Sequence, residues 1–144
     1  ALKDYNTSNT HGFRNGLLMD NFKNEDNIAD LTGGMAVQNG ALILNGAGKT
    51  GTMTTFLKNP GGSGWKRAIG WIRYEEGGTH TLSVNGTPLA VVDGWTTRTS
   101  EGTVCEELQV EAEMAGTASV TISLTISTGT AAQSKVYEYG VMFF

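Results

Sequence analysis

"TASVTISLTIST", residues 117–128, is the stretch whose pattern decides the fold. Val120, Ile122, Leu124 and Ile126 alternate strictly with Ser119, Thr121, Ser123 and Thr125. Successive side chains of a strand point to opposite faces, so this alternation lays one apolar face on a core and leaves one hydroxyl face in water. An antiparallel sheet packed on a second layer has that pattern. The preceding stretch, "TVCEELQVEAEM" (103–114), repeats it. There Val104, Leu108, Val110, Ala112 and Met114 share one face, with Glu106 the exception, while Cys105, Glu107, Gln109, Glu111 and Glu113 share the other. Ala115-Gly116 reads as the turn between the two strands.

Working outward, "THTLSVNGTPLAVV" (79–92) reads as a hairpin around Asn85-Gly86, and "MAVQNGALIL" (35–44) as another around Asn39-Gly40. Asn-Gly between apolar runs is the strongest short-range hairpin signal, because a type I′ turn needs two residues with positive φ. "GLLMD", "KTGTMTTFLK" and "AIGWIRYEE" add strands, with Trp71 read as core, and "NPGGSGWKR" and "DGWTTRTSEG" read as loops. "KVYEYGVMFF" closes the chain as a strand too apolar for an edge, so it is placed centrally. Residues 1–15, polar and aperiodic, read as an N-terminal arm or linker, and residues 16–144 as one β-sandwich domain. A terminal strand near the sheet centre favours a jelly roll over an immunoglobulin topology. A single cysteine cannot supply the Cys-Trp-Cys spacing of the latter.

Composition agrees and narrows the function. The chain has 144 residues with 39% hydrophobic and only 17% charged, and its 20 glycines suit short strands joined by tight turns. A net charge of −4 with ten scattered basic residues gives no nucleic-acid patch. Apolar runs are far shorter than the roughly 20 residues that cross a bilayer as a helix, so no membrane insertion is expected. The start, Ala-Leu-Lys-Asp-Tyr, has no signal-peptide pattern and no initiating Met, and reads as a piece of a longer chain. Cys105 is read as inert, since neither His11 nor His80 is placed by sequence to activate it.

In order, "MDNFKNEDNIADLTGGMAVQNGALIL" (19–44), "HTLSVNGTPLAVV" (80–92), "DGWTTRT" (93–99), "CEELQVEAEMAG" (105–116) and "VYEYGVMFF" (136–144) resemble the galactose-binding-like jelly rolls of carbohydrate-binding modules and bacteriophage tail or fibre proteins. The resemblance covers roughly residues 18–144 in pattern and order, without a diagnostic motif. It implies a non-catalytic virion module for host-surface attachment or assembly. Its partners would be a cell-surface glycan and other virion proteins, with homotrimerisation as in fibres. The alternative is a carbohydrate-binding module of a secreted glycan-degrading enzyme.

Two sets of candidate residues follow. Trp65 and Trp95 lie in expected loops, where an exposed indole can stack on the apolar face of a pyranose while Lys66, Arg67, Asp93 and Arg98 bond its hydroxyls. The other reading is that each indole folds back to cap the sandwich. The second set is a cluster of acidic and amide residues that includes Asp20, Glu25 and Asp26, whose hard oxygens suit Ca²⁺. The resemblance implies a structural calcium near the first strand and the chain end, where Glu138 lies. A solvated acidic turn has the same composition, and the spacing is not that of an EF-hand. No other cofactor is expected. Adjacent pairs such as Glu75-Glu76 and Glu106-Glu107 point to opposite faces and cannot flank a glycosidic bond, and no nucleophile or metalloenzyme motif is present, so no enzyme activity is expected.

Overall fold

In the computed structural model, the structure describes residues 16–58, 64–99, 101–117 and 119–144. The arm expected over residues 1–15 and most of the loop "NPGGSG" fall outside them. The described chain is all β: β1 (Gly16–Asp20), β2 (Asp30–Leu31), β3 (Ala36–Gln38), β4 (Ala41–Asn45), β5 (Thr50–Lys58), β6 (Trp65–Glu76), β7 (Thr79–Val84), β8 (Thr87–Pro88), β9 (Ala90–Arg98), β10 (Val104–Thr117), β11 (Ser119–Ser127) and β12 (Gln133–Phe143). They form two antiparallel sheets. One is seven-stranded, in the order β3-β4-β12-β6-β10-β9 with β1 also on β12, and the other is five-stranded, in the order β2-β5-β11-β7-β8. The fold is an antiparallel jelly-roll β-sandwich, and among the described residues no helix is long and apolar enough to cross a membrane.

The core lies between the sheets. Met53, Leu82, Ile122, Leu124 and Ile126 reach in from the smaller sheet, and Ile72, Val110, Val136, Tyr139 and Val141 from the larger. Burying each aliphatic side chain is worth about 1.5–3 kcal/mol, so the alternation of β11 is what fixes its register. β12 is central as expected, bonded to β6 on one side and to β4 and β1 on the other.

Both Asn-Gly turns adopt left-handed backbone, with Asn39 and Gly40 at φ 53° and 76° and Asn85 and Gly86 at 50° and 83°. These are the signs a type I′ turn demands. The second hairpin differs from expectation in its return arm. β8 stays beside β7 for two residues only, and the chain then crosses to the larger sheet as β9. "DGWTTR" is therefore strand, not loop. β10 and β11 belong to different sheets, and Ala115-Gly116 is an irregularity within β10 rather than its end.

One buried polar cluster sits between the sheets. His80 is 7% exposed, its Nε2 is 2.7 Å from Ser134 Oγ, and its ring stacks on Tyr74 at 4.0 Å. Burial lowers its pKa from 6.5 to about 4. A folded value below the unfolded one means that stability is complete above pH 6.5 and is lost as pH falls toward 4. The expected loss is about 3 kcal/mol. Comparing thermal midpoints across that window with His80→Phe checks it. The variant should show the shallower pH dependence, and identical slopes would remove the imidazole from the account.

Candidate functional site

The outer face of the larger sheet is where the chemistry collects. Strand alternation and register place its side chains in rows. One row runs Glu138, Arg73, Glu107, Trp95 across β12, β6, β10 and β9. The next runs Met19, Gly140, Trp71, Gln109, Asp93 from β1 to β9. The two indoles stand two strand spacings apart and in adjacent rows, so their Cα atoms are about 12 Å apart.

Trp71 is half-buried, not core. Its indole lies over Gly140, where a Cβ would stand 2.3 Å from the ring, and its Nε1–H donates to Glu138 Oε2 at 2.9 Å. Only glycine leaves room for that seat. Trp95, 41% exposed, stands on the edge strand β9. Between them Arg73 Nε–H donates to Glu107 Oε1 at 3.0 Å, and this pair is partly withdrawn from solvent. Further along the sheet Arg67 pairs with Glu111 at 2.9 Å, at a more exposed position. Toward the other end Tyr137 Oη–H donates to Glu75 Oε2 at 3.1 Å, and burial together with that carboxylate raises the phenol to about 12. Cys105 is buried beside this pair, with its thiol pushed up chiefly by burial, which fits an inert role.

The structure redistributes the sequence candidates. Trp65 is the first residue of β6, 2% exposed, and its ring stacks on Phe143 at 4.8 Å. It caps the core and offers no free face to a ligand. The cause is a bulge: the successive amides of Lys66 and Arg67 both donate to Phe144 O, at 2.7 and 3.2 Å. The extra residue turns Trp65 inward. Lys66 is exposed at that bulge. Arg98 faces away from Trp95 by alternation and donates to Gly102 O. Of the predicted ligand-binding set, Trp95, Asp93 and Arg67 share the outer face, with Lys66 exposed at the bulge beside Arg67, and Trp65 and Arg98 do not join them.

The calcium set does not assemble. Asp20 pairs in register with Tyr139, and both point into the sandwich; Glu138, one residue before, points to the outer face. Glu25 and Asp26 are exposed in the loop after β1. Asp20 Oδ1 accepts from the Phe22 amide at 2.8 Å, while Asp20 Oδ2 and the Tyr139 hydroxyl are buried without a hydrogen-bond partner. Burial, and secondarily the charge of Asp26, push the Asp20 carboxyl upward. Among the described residues no three of His, Cys, Asp and Glu come together as a group that could hold a metal.

Sequence reasoning missed Trp71, Gly140, Arg73 and Glu107 as parts of one surface. The signal was present: Trp71 and Arg73 alternate against Ile72 and Tyr74, but large residues on both faces of "AIGWIRYEE" hid which side was buried.

The fold and face define a sandwich with an aromatic and acid-lined sheet surface. No family model matches the chain, and no curated protein matches it significantly. Among solved structures it is similar to TmCBM27, a carbohydrate-binding module described for specific mannan recognition. That similarity has 11% identity over 92% of this chain and 99% of that one, with a TM-score of 0.48. It is also similar to CBM86, a low-affinity xylan-binding module from Roseburia intestinalis, with 10% identity over 90% and 94% of the two chains and a TM-score of 0.45. A third similarity, to the enzymatically active domain of tailspike protein 4 of bacteriophage CBA120, has 11% identity over 87% of this chain but 19% of that one, with a TM-score of 0.39. These similarities are of fold.

Proposed function

We propose that the chain is a non-catalytic glycan-binding module whose binding surface is the outer face of the seven-stranded sheet. The observation that carries this reading is the pairing of two indoles on one face, one seated and one exposed, with carboxylates and Gln109 between and beside them. Indole faces take the apolar faces of pyranoses, and carboxylate or amide oxygens accept sugar hydroxyls. A glycosidase would also need a general acid with a raised pKa beside a second carboxyl. Asp20, whose carboxyl is raised, faces the interior, and Glu107, Glu111, Glu138 and Glu75 are engaged with Arg73, Arg67, Trp71 and Tyr137. The setting proposed is a secreted or cell-surface polypeptide. Virion assembly and a homotrimer have no residue assigned to them in this reading.

Trp95→Ala is the direct test, because the side chain stands at an edge and its removal leaves the core intact. Affinity electrophoresis on uncharged polysaccharides should show about a tenfold loss, the usual scale for an anchoring aromatic. The thermal midpoint should move little. Unchanged retention of the variant on a polysaccharide that retains the parent chain would refute the assignment of this face.

A further inference from the structure

If the outer face binds glycan as proposed above, its charged residues set which glycans it takes. Two arginines reach the outer face, and each is already bridged by a glutamate of β10: Arg73 by Glu107 at 3.0 Å and Arg67 by Glu111 at 2.9 Å. Around them, Asp93, Glu138, Glu75 and Glu113 add negative charge, and among the described residues Lys135, and Lys66 at the bulge beside Arg67, are the other cations on this side. We infer that Glu107 and Glu111 are specificity-determining residues that restrict this surface to uncharged glycans, by occupying the guanidiniums that would otherwise hold a uronate or sulfate.

The physical reason is the fork geometry of arginine. A free guanidinium binds a carboxylate or sulfate through two parallel N–H donors, which is why acidic ligands are met by arginine. A glutamate oxygen on one nitrogen of each guanidinium, Nε of Arg73 and Nη2 of Arg67, offsets its charge, and an incoming anion meets the surplus carboxylates around it. Like charges brought face to face cost affinity and suppress the wrong partner. An uncharged sugar has no such conflict, since its hydroxyls donate to the same oxygens that repel a uronate. The two pairs are unequal. Glu107 is largely withdrawn from water with Arg73, whereas Arg67 is about half exposed and its pair is weakened by solvent, so Arg73 dominates. The net charge of −4 acts in the same direction.

The experiment compares uncharged glucans, mannans, xylans and galactans with their carboxymethylated derivatives, by affinity electrophoresis at low and high salt. The parent chain should be retained by at least one uncharged polymer, and about tenfold less by its carboxymethylated form. Glu107→Gln with Glu111→Gln leaves the side-chain shapes and frees both guanidinium charges. That variant should gain about tenfold in retention by the carboxymethylated polymer at low salt, and lose the gain at high salt, where exposed charges are screened. Glu111→Gln alone, at the exposed pair, should give a smaller gain and serves if the double variant does not fold. A folded variant with no gain, or a parent chain retained better by the carboxymethylated polymer, overturns the inference while glycan binding stands. A parent chain retained by no uncharged polymer overturns both.

Discussion

Trp65→Ala should lower folding stability by about 3–5 kcal/mol, the range for emptying an aromatic site in a packed core. Domains of this size hold only about 5–15 kcal/mol in total, so the variant should sit close to the edge of folding at ambient temperature. The reasons are local. The indole is 2% exposed, stacks on Phe143 at 4.8 Å, and lies so close to Gly16 that a Cβ there would stand 2.5 Å from the ring. No neighbouring side chain can fill the space from a glycine. The indole Nε1 has no hydrogen-bond partner, so its removal orphans no other group and offsets a little of the loss. Denaturant unfolding gives the number. A loss below about 1 kcal/mol would mean that the ring does not cap the core. The affinity of the molecules that remain folded should match the parent, because the ring faces inward.

Trp71→Ala should do the opposite. Its ring lies on the outer face, so stability should fall modestly, while affinity for an uncharged polysaccharide should fall by about 2–4 kcal/mol, the scale of a central aromatic anchor. The loss should exceed that for Trp95 because Trp71 is held on both sides, by the Glu138 carboxylate at 2.9 Å and by the floor of Gly140. A seated ring loses less freedom on binding than one on an edge strand, and that difference appears as affinity. Gly140→Ala gives the corroborating case. It keeps the indole in the chain but places a methyl where the ring lies, and isothermal titration should register most of the Trp71→Ala loss. Affinity unmoved by either change would leave Trp71 as packing alone.

The fold was legible in the sequence wherever alternation was clean or a turn needed positive φ. β11 shows its faces as written, β10 does so from Leu108 to Ala112 although Val104 is exposed and Cys105 buried at its start, and both Asn-Gly pairs stand in left-handed backbone. The site was less legible because bulges reverse the parity on which face assignment depends. One at Lys66 and Arg67 turns Trp65 inward, and another between Val136 and Glu138 turns Tyr139 into the core and Glu138 outward to Trp71. A bulge is one extra residue with no fixed composition, so period counting passes over it. The Asp20–Glu138 metal pairing failed for this reason, since two residues close to each other across β1 and β12 end on opposite sides of the sheet. The crossing of β8 into β9 was hidden too. "NGTPLAVV" continues a hairpin by pattern, yet the last bond to β7 is from the Leu89 amide to Leu82 O before the chain crosses, and an exposed Trp95 reads as loop until its strand is seen.

The chain has three tryptophans, so one spectrum reports on all of the indoles named above. The measurement that bears most directly on a sheet-face glycan site is titration of an uncharged oligosaccharide into ¹⁵N-tryptophan-labelled protein, following the indole N–H resonances assigned by the single substitutions. The Trp71 and Trp95 signals should move together with one saturation curve, and the Trp65 signal should stay in place. Movement of Trp65 with the other two unmoved would contradict the account and place any binding at the end of the sandwich instead.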